Sequence, residues 1–517
     1  MILLANNTRH CSGVLINNEC QDFTPNFLTA FHCVDVGAGG DFQNGILSAD
    51  EIAAAQNWVF RFQYKSPVCD GGDGTSFFAF VGSTFRSAWQ ITDFAVFELN
   101  NRPAGETGIT YAGWSRANIP PRTSAGIHHP NGDVMKVSIE NDIATSVGWF
   151  QANTHWRVIF DDGIVQHGSS GSPLFDQNRR VVGQLHGNQN YNQTIPYCDQ
   201  LIGEYGRFDD SWGRNNNGIF LAGRNATNSL APWLDPNNTN AMTTNTIPVP
   251  SISGPDYLCS TNTFSLQNAP AGSTVSWSVS PTNLFSGSTS GSGSSAPLSP
   301  YSSFASGQAT ITFVIETDCG KVPVHQSFWV GRPSVPDSII WGSTSPTVGS
   351  YEMYLVSGGI PDGATSMTWW LPYCFGCSDP WSIYSGQNLI QMVAIVGDSP
   401  GYVQAMGNNT CGNGPASLLY VVPDVGGGSC NPCPFIYPNP ASDELFVEWR
   451  FEEALRTLDE TDEFEVALYD MQGARLFSRK STSALLRLDL SKLRNGFYYI
   501  HILHKEGLIR KQIRVER

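Results

Sequence analysis

The apolar residues of this chain occur in short runs that alternate with polar residues and end at turn-forming residues. Segments such as STVSWSVS (273–280) and QATITFVIET (308–317) have the two-residue period of a half-buried β-strand. The chain has 51 glycines and 31 prolines to form turns, and only 14% of its residues are charged. The pattern predicts an all-β chain of antiparallel sheets and excludes a helical bundle or a disordered polar chain.

Charge and hydropathy exclude two classes of partner. The formal net charge is −16 at pH 7, whereas nucleic-acid binders rely on Lys and Arg to neutralise phosphates. No apolar run approaches the roughly 20 residues that a membrane-spanning helix needs. We therefore expect neither nucleic-acid binding nor a transmembrane segment.

Changes in composition divide the chain into four predicted domains. Residues 1–242 are rich in Trp, His and Gly, and the extended stretch TTNTIPVP (243–250) follows them as a linker. Regularly spaced strand-like runs predict two β-sandwiches, at residues 251–332 and 334–424. A small C-terminal β-sandwich is expected at residues 434–517.

The last of these domains differs sharply from the rest in charge density. Residues 443–517 contain 13 Lys and Arg and 14 Asp and Glu, more than a third of all the charges in the chain. Its apolar and polar residues still alternate, and turns are expected at the QG and NG dipeptides. A compositional change of this size indicates a separate module.

Cysteine usage indicates an oxidising compartment. The twelve cysteines are spaced like disulfide partners and do not form two nearby CxxC pairs of a zinc site. The chain begins with MILLANNTRHCSGVLINN, which has no basic n-region and too short an apolar core for a signal peptide. We therefore expect a secreted or surface-attached protein whose leader and any pro-segment are missing from this chain.

Two sites in the first domain suggest an acid–base pair. His32 ends the apolar segment FLTAFHC, and a Cys11–Cys33 disulfide bond would fix it to the neighbouring strand CSGVLINN. Asp93 begins the strand-like segment TDFAVFEL. A buried carboxylate at this position needs a hydrogen-bonding partner, and an imidazole N–H is suitable.

The third site is a serine between glycines, in the segment HGSSGSPLF (167–175). A tight turn at this point presents the hydroxyl of Ser170 and lets the backbone N–H groups of Gly168 and Ser170 converge on an oxyanion. A nucleophile, a base and a carboxylate that orients the base are the groups that acyl transfer requires.

These segments belong to a longer series of blocks with a family resemblance. In order, the chain contains CSGVLINN, FLTAFHC, TDFAVFEL, IHHPNGDVMKVS, GSSGSPLF, RVVGQLHG, YGRF and LAPWLDP. Over residues 3–240 it resembles the lysyl endopeptidase branch of the chymotrypsin-like serine proteases. The resemblance implies two antiparallel β-barrels with the site between them and no metal or organic cofactor. It also implies that His32 is the general base, Asp93 its orienting partner and Ser170 the nucleophile.

The resemblance further implies which residues bind substrate, and here the chain departs from the family. His186 matches a His beside the substrate cleft, and Trp149 matches a Trp that stacks near the catalytic His. The Asp that gives the family its Lys preference corresponds to Gly203, so Lys specificity is in doubt. Glu204 follows one position later, where it is either a surface residue or, if the strand bulges, a pocket residue.

A second departure concerns cysteines. The family has further residues before the position of Met1, including two cysteines that bond to positions matching Cys69 and Cys198. Without those partners, Cys20 pairs with one of the two, or both remain single. This again predicts that the chain is truncated at its N-terminal side.

The remaining domains resemble modules of exported bacterial proteins. The segment ISGPDYLCSTNTFSLQNAPAGSTVSWSVSP resembles immunoglobulin-like or PKD-like modules, and Cys259 and Cys319, at its two ends, are expected to form a disulfide bond. The blocks YPNPASDEL, YDMQGARLF and LRNGFYYIHI resemble the type IX secretion C-terminal sorting domain. That resemblance implies export across the outer membrane through the type IX machinery.

The sequence therefore predicts a secreted serine endopeptidase that acts on protein or peptide substrates through an acyl-enzyme. The alternative is a non-catalytic surface adhesin with a degenerate protease domain. The altered pocket position and the missing N-terminal segment favour the adhesin, while the presence of all three triad residues favours the enzyme.

Overall fold

The computed structural model describes residues 1–37, 42–68, 74, 77–103, 105–335, 339–373, 379–424, 433–437, 441–450, 463–470, 474–504 and 507–515. Strands predominate among them, which confirms the all-β prediction. The α-helices are short: α1 (Ala49–Ala55), α2 (Phe208–Ser211) and α3 (Ala231–Leu234). Single 3₁₀ turns are found at Phe31–Cys33, Gln90–Thr92, Gly105–Thr107, Pro130–Gly132, Tyr197–Asp199 and Thr282–Leu284.

The first barrel consists of two four-stranded antiparallel sheets. Its strands are β1 (Ile2–Leu3), β2 (Arg9–Cys11), β3 (Val14–Ile16), β4 (Asn26–Ala30), β5 (Val59–Phe62), β6 (Phe78–Val81), β7 (Ser83–Trp89) and β8 (Phe94–Leu99). The sheet orders are β2-β1-β5-β6 and β3-β4-β8-β7. Phe27, Phe60 and Phe97 from three of these strands are fully buried between the two sheets, so aromatic packing closes the barrel.

The second barrel is one seven-stranded antiparallel sheet. After β9 (Thr110–Tyr111), its strands are β10 (Ser124–His128), β11 (Lys136–Glu140), β12 (Thr145–Val147), β13 (His155–Ile159), β14 (Pro173–Asp176), β15 (Val181–Gly187) and β16 (Ile202–Arg207). The order is β11-β10-β14-β15-β16-β13-β12. Its core contains Trp156, Phe160 and Tyr205. The predicted double-barrel fold is thus confirmed.

A separate apolar cluster joins the two barrels. Trp114 stacks on Phe208 with 5.5 Å between ring centroids, and it lies 4.8 Å from the ring of Trp212. All three rings are buried together with residues from β3, β4 and β8 of the first barrel. This cluster fixes the barrels relative to each other and therefore fixes the cleft between them.

Two sandwich-like pairs of sheets follow. After β17 (Ile247–Pro248), which pairs with β9 in a separate two-stranded sheet, the first pair of sheets is built from β18 (Ser251–Ser253), β19 (Tyr257–Leu258), β20 (Asn262–Gln267), β21 (Thr274–Ser280), β22 (Phe285–Ser286), β23 (Ser290–Ser292), β24 (Ser295–Pro300), β25 (Ser306–Thr317) and β26 (Gly320–Gly331). The second is built from β27 (Ile340–Trp341), β28 (Tyr351–Val356), β29 (Ser366–Trp370), β30 (Ser382–Ser385), β31 (Gln391–Ile395), β32 (Gly401–Asn409) and β33 (Gly412–Val421). In β25, buried and more exposed residues alternate, as the sequence pattern predicts.

The charged C-terminal module is also a pair of sheets. Its strands are β34 (Cys433–Tyr437), β35 (Glu444–Arg450), β36 (Phe464–Tyr469), β37 (Arg475–Ser481), β38 (Leu485–Asp489), β39 (Gly496–His504) and β40 (Gly507–Val515). The sheet orders are β34-β35-β38 and β37-β36-β39-β40, and they enclose an apolar core of their own. High charge density outside and apolar residues inside explain how so charged a segment still folds.

The disulfide bonds differ in part from the expected ones. The described cysteines form three bonds: Cys11–Cys33, Cys20–Cys319 and Cys259–Cys411. The bond expected beside His32 is therefore present. Cys20 bonds neither to Cys198, which is free and exposed, nor to Cys69, which lies outside the described residues.

The expected Cys259–Cys319 bond is wrong, and strand geometry explains why. Cys259 follows β19, which runs parallel to the last residues of β26, while Cys319 lies in the turn before β26 begins. The length of β26 separates them, roughly 35 Å at about 3.3 Å per residue, whereas a disulfide bond requires Cα atoms within about 7 Å. Each cysteine bonds to a neighbouring module instead.

Among the described residues, no helix is both long enough and apolar enough to span a membrane.

Candidate active site

A cleft of about 470 Å³ runs between the two barrels. It is lined by Phe31, His32, Asp35, Gln43, Gln90, Asp93, Trp149, Phe150, Val165, Gln166, His167, Ser170, Leu185, His186, Gly187, Asn188, Tyr191, Tyr197, Gln200 and Ile202. The cleft thus brings together His32, Asp93 and Ser170, which lie far apart in the sequence. It also contains His186 and Trp149.

The pairing of His32 with Asp93 is set by the ends of two adjacent strands. His32 lies in the 3₁₀ turn that follows β4, and Asp93 immediately precedes β8, which pairs with β4. Asp93 has a left-handed backbone (φ 58°), a conformation that Asp tolerates better than most residues. The Cys11–Cys33 disulfide bond holds the neighbour of His32 against β2.

Both carboxylate oxygens of Asp93 accept hydrogen bonds from His32. The backbone N–H of His32 donates to Oδ1 at 3.0 Å, and the ring Nδ1 lies 2.9 Å from Oδ2. The side chain of Asp93 is 2% exposed and that of His32 is 23% exposed. The arrangement orients the imidazole so that Nε2 remains available on the cleft side.

The same pairing sets the protonation of both groups. Burial lowers the pKa of His32, but the charge of Asp93 and its hydrogen bond outweigh burial and raise that pKa above its usual value. Burial raises the pKa of Asp93, yet the nearby His186 and His32 keep it below its usual value. Asp93 is therefore a carboxylate near neutral pH, and it stabilises a protonated His32.

Two glycines shape the turn that carries Ser170. Gly168 (φ 85°) and Gly171 (φ 79°) are in the left-handed region, which glycine adopts without strain. The hydroxyl of Ser12 donates to the carbonyl of Gly168 at 2.8 Å, and its backbone N–H donates to the carbonyl of Ser170, also at 2.8 Å. The first barrel thus holds the turn that belongs to the second barrel.

The donors expected for an oxyanion are present at this turn. Within the described part of the chain, the backbone N–H groups of Gly168 and Ser170 have no protein acceptor, while the N–H groups of Ser169 and Gly171 donate to the carbonyls of Gln166 and Leu185. Unused N–H groups beside a cleft are suited to bind a developing negative charge. Within the same part of the chain, the Ser170 hydroxyl has no hydrogen bond to His32, and such contacts often tighten only when substrate binds.

Trp149 and His186 form a stacked pair beside this site. Their ring centroids are 3.6 Å apart, with an angle of 16° between the planes, and the ring of His186 also stacks on His32 at 5.6 Å. His186 Nε2 lies 4.0 Å from Asp93 Oδ2. Burial lowers the pKa of His186 to about 4, so it is neutral near pH 7. Trp149 and His186 are therefore both close to His32, as expected.

The two expected specificity residues are placed differently. Neither Gly203 nor Glu204 lines the cleft. A Cβ at position 203 would lie 3.0 Å from the rings of both Phe160 and Tyr205, so this position faces the barrel core. Side chains alternate along β16, and Ile202, the residue before Gly203, is the one that lines the cleft. The role of position 203 in specificity stays a prediction.

Glu204 is not a surface residue. Its side chain is fully buried, it forms an ion pair with Arg157, and its Oε2 accepts the backbone N–H of Gln189 at 2.8 Å. A shift in register of β15 near Leu185 and Gly187, directly opposite Glu204, makes room for this side chain. Sequence reasoning missed Arg157, since only the register of β13 against β16 places it opposite Glu204.

A metal-like cluster in the cleft is better explained as an acid–base group. Ligand atoms of His32, Asp93 and His186 lie within 4.8 Å of one another. The carboxylate of Asp93, however, is directed at the ring and backbone N–H of His32. A second group consists of His10, Cys11 and Cys33, but its two sulfurs are joined in a disulfide bond and offer no thiolate.

Comparison with known families matches two parts of the chain. Residues 1–196 match the family described as lysyl endopeptidase, C-terminal domain. Residues 435–516 match the Secretion system C-terminal sorting domain. The two matches agree with the resemblances noted at both ends of the sequence.

A similar characterised protein is the lysyl endopeptidase of Pseudomonas aeruginosa. It is 30% identical over 212 residues, which cover 38% of this chain and 42% of that protein. The chain thus matches less than half of the length of this relative.

Similar solved structures include two proteases. The Vibrio cholerae VesB protease has a TM-score of 0.27 and 11% identity, with 64% of this chain and 94% of that chain covered. A Glu endopeptidase in complex with MPD has a TM-score of 0.21 and 18% identity, with 38% and 79% covered. We draw no conclusion from similarities at these TM-scores. The sequence matches carry the comparison: residues 1–196 are similar to the lysyl endopeptidase C-terminal domain, and residues 435–516 are similar to a secretion-system sorting domain.

Proposed function

We propose that this protein is a secreted serine endopeptidase that hydrolyses peptide bonds through an acyl-enzyme. The observation that carries the proposal is the cleft itself. It holds a His32–Asp93 pair, in which both oxygens of Asp93 accept from His32. Opposite this pair lies a Gly-flanked Ser170, whose turn has two backbone N–H groups without an acceptor among the described residues. These are the groups that acyl transfer needs, in one solvent-accessible place.

The reaction proceeds in two halves. The Ser170 hydroxyl attacks the scissile carbonyl carbon while Nε2 of His32 takes the hydroxyl proton, and a tetrahedral intermediate forms. His32 then gives that proton to the leaving amine as the carbon–nitrogen bond breaks, which leaves Ser170 acylated. Water attacks the ester with the same help from His32, so the acid is released and Ser170 regains its proton.

Asp93 and the Gly168–Gly171 turn stabilise the charges that develop in these steps. Asp93 accepts from the protonated ring of His32 and keeps its Nε2 directed at the cleft. The backbone N–H groups of Gly168 and Ser170 bind the oxyanion of the tetrahedral intermediate. Removing one such donor typically costs about 10²–10³ in kcat.

The pocket beside Ser170 supports a preference for uncharged side chains at the residue before the scissile bond. Its walls include Val165, Gln166, Asn188, Tyr191 and Ile202, all of them neutral. The nearby Glu204 carboxylate is occupied by Arg157 and by a backbone N–H. The acidic groups that do line the cleft, Asp35 and Asp93, lie beside His32.

His186 and Trp149 form the opposite wall and contribute to substrate binding. Their stacked rings give a flat surface next to His32. Phe150, half exposed and 5.9 Å from the ring of His186, extends that surface toward solvent. An extended peptide passing His32 would therefore contact an aromatic wall.

We assign the other modules to export and spacing. The match at residues 435–516 supports recognition of this segment by the type IX secretion machinery. We propose domain boundaries at residues 1–242, 251–332, 334–424 and 434–517. The two central modules would then separate the catalytic domain from the sorting domain.

The test is cleavage of a peptide library by the full chain and by Ser170→Ala. We expect cleavage by the wild type, none above background by the variant, and little cleavage after Lys or Arg. Equal cleavage by both proteins would refute the role of Ser170. If neither protein cleaves, the endopeptidase proposal fails and a non-catalytic surface-binding role takes its place.

A further inference from the structure

A buried row of three polar side chains continues from the catalytic pair into the second barrel. His186 Nδ1 lies 3.0 Å from Nε2 of His155, and His155 Nδ1 lies 2.8 Å from the hydroxyl of Thr154. The Thr154 hydroxyl donates to the carbonyl of Gln151 at 2.9 Å. Both His155 and Thr154 are buried and neither lines the cleft, so their function is not contact with substrate.

The direction of each hydrogen bond in the row follows from counting protons. A threonine hydroxyl has one proton, and that of Thr154 is used by Gln151. His155 Nδ1 must therefore donate to the Thr154 oxygen, which leaves Nε2 of the neutral ring as an acceptor. His186 Nδ1 then donates to that acceptor, and Nε2 of His186 carries a lone pair.

The distance to Asp93 agrees with this assignment. His186 Nε2 is 4.0 Å from Asp93 Oδ2, which is too long for a hydrogen bond. A proton on Nε2 would be attracted to the carboxylate, whereas a lone pair is repelled by it. Among the described residues, the donors to the two oxygens of Asp93 are both on His32.

We propose that Thr154 and His155 are positioning residues that keep the proton of neutral His186 on Nδ1, so that Asp93 serves His32 alone. The reverse arrangement would place an N–H of His186 against Asp93. Asp93 would then divide its charge between two donors, and its support of a protonated His32 would weaken. The proposal rests on the serine endopeptidase function of the same cleft.

The rings of His155 and His186 are both neutral near pH 7, so a change in this row moves a proton from one nitrogen of a ring to the other without changing its charge. Burial lowers the pKa of His155 to about 3 and that of His186 to about 4, so neither ring is charged near pH 7. The titratable groups that act on these two rings, apart from each other, are Asp93 and His32, while Asp35 and His10 act on His32. None of these supplies an acceptor for Nδ1 of His155 in place of Thr154.

The test compares Thr154→Val with Thr154→Ser in the full chain labelled with [¹⁵N]histidine. Valine keeps the shape of threonine but removes the acceptor for His155, whose buried Nδ1–H would be left unsatisfied. The proton of His155 should move to Nε2, and that of His186 should follow to its own Nε2. The ¹⁵N signals of His186, assigned with His186→Gln, should exchange their protonated and unprotonated character, while serine preserves the wild-type pattern.

The pH dependence of kcat/KM in the same variants is a second, independent measurement. In Thr154→Val we expect the acid limb of kcat/KM to move down by about one pH unit, since His32 loses support from Asp93, and Thr154→Ser should restore it. Unchanged ¹⁵N signals in Thr154→Val would overturn the proposal. The proposal would also be overturned if the ¹⁵N signals exchanged in an active Thr154→Val enzyme while the acid limb of its kcat/KM profile did not move.

The two proposals fail in distinguishable ways. Absence of cleavage by the wild type would refute the endopeptidase function, and the link to catalysis would fall with it. The ¹⁵N measurement on the resting protein still decides where the proton of His186 lies. An active wild type with a proton on Nε2 of His186 would refute only the positioning role.

Discussion

Arg157 lies directly opposite Glu204 on paired strands, and its guanidinium holds a carboxylate that is fully buried. Nε of Arg157 donates to Oε1 at 2.8 Å, and the backbone N–H of Gln189 occupies Oε2. Because the charge of Glu204 is balanced by Arg157, this buried carboxylate attracts a substrate cation less than an unpaired one would. If the proposed endopeptidase function holds, we therefore expect that Glu204 does not supply a Lys-binding charge.

Specificity should respond to Ile202 and not to its neighbour Gly203. Ile202→Asp places a carboxylate on the cleft wall, so we expect cleavage after Lys and Arg to increase by about tenfold or more relative to apolar residues. Gly203→Asp is the matched control, since its side chain would collide with Phe160 and Tyr205. We expect it to lower Tm without any gain in Lys cleavage; a gain from Gly203→Asp alone would show that our assignment of the two faces is reversed.

The pH dependence of activity should follow His32. The base must be neutral to accept a proton, and Asp93 raises the pKa of His32 above its ordinary 6.5. We therefore expect kcat/KM to rise with pH through a midpoint above 6.5. In Asp93→Asn, burial and the weaker effect of Asp35 remain and the pKa of His32 falls, so the midpoint should move to lower pH, with kcat reduced by about 10³-fold or more.

A control for this experiment is Asp35→Asn, which removes a more weakly acting charge near His32. Asp35→Asn should move the acid limb of the kcat/KM profile by less than Asp93→Asn does. If the two variants gave equal shifts, the hydrogen-bonded geometry of Asp93 would not be the source of the effect.

The turn at Ser170 should be intolerant of a side chain at Gly171. A Cβ there would lie 2.3 Å from Thr29 Oγ1 and 2.6 Å from the carbonyl oxygen of Ser12. Gly349 has the same φ of 79° but nothing within 4 Å of a Cβ. Gly349→Ala should therefore cost only about 1 kcal/mol of stability for backbone strain.

Gly171→Ala should lower the free energy of unfolding by more, about 2–4 kcal/mol in all, because the steric clash adds to the backbone strain. Chemical denaturation of the full chain measures both variants. Equal losses of stability would mean that the first barrel does not press against this turn.

Much of the candidate site is predictable from the sequence, because its residues lie in short local patterns. His32 ends a strand, Asp93 precedes one, and Ser170 lies between two glycines that need positive φ. The roles of Arg157 and His155 are not predictable in this way. Both depend on which residue of a distant strand lies opposite, and alternation along a strand gives the face but not the partner.

Disulfide pairing shows the same limit. The 22-residue separation of Cys11 and Cys33 spans a local pair of strands. Cys259 and Cys319 lie within one predicted module, but the long strand β26 separates them. Their partners are in other modules, so proximity in sequence indicated the wrong pair.

The pairing itself is testable by peptide mapping without reduction. We expect a peptide containing Cys20 linked to one containing Cys319, and a peptide containing Cys259 linked to one containing Cys411. Cys319→Ser should release Cys20 as a free thiol and leave the second link intact. Recovery of a Cys259–Cys319 peptide would contradict the arrangement of the modules.

The most direct test of the endopeptidase account is covalent labelling of the full chain with an active-site-directed phosphonate, followed by mass spectrometry of the labelled peptide. The account predicts a label on Ser170 and none on the adjacent Ser169, which is fully buried. It also predicts that labelling is lost in His32→Ala. A folded wild-type protein that takes up no label at Ser170, or labels equally without His32, would contradict the central claim.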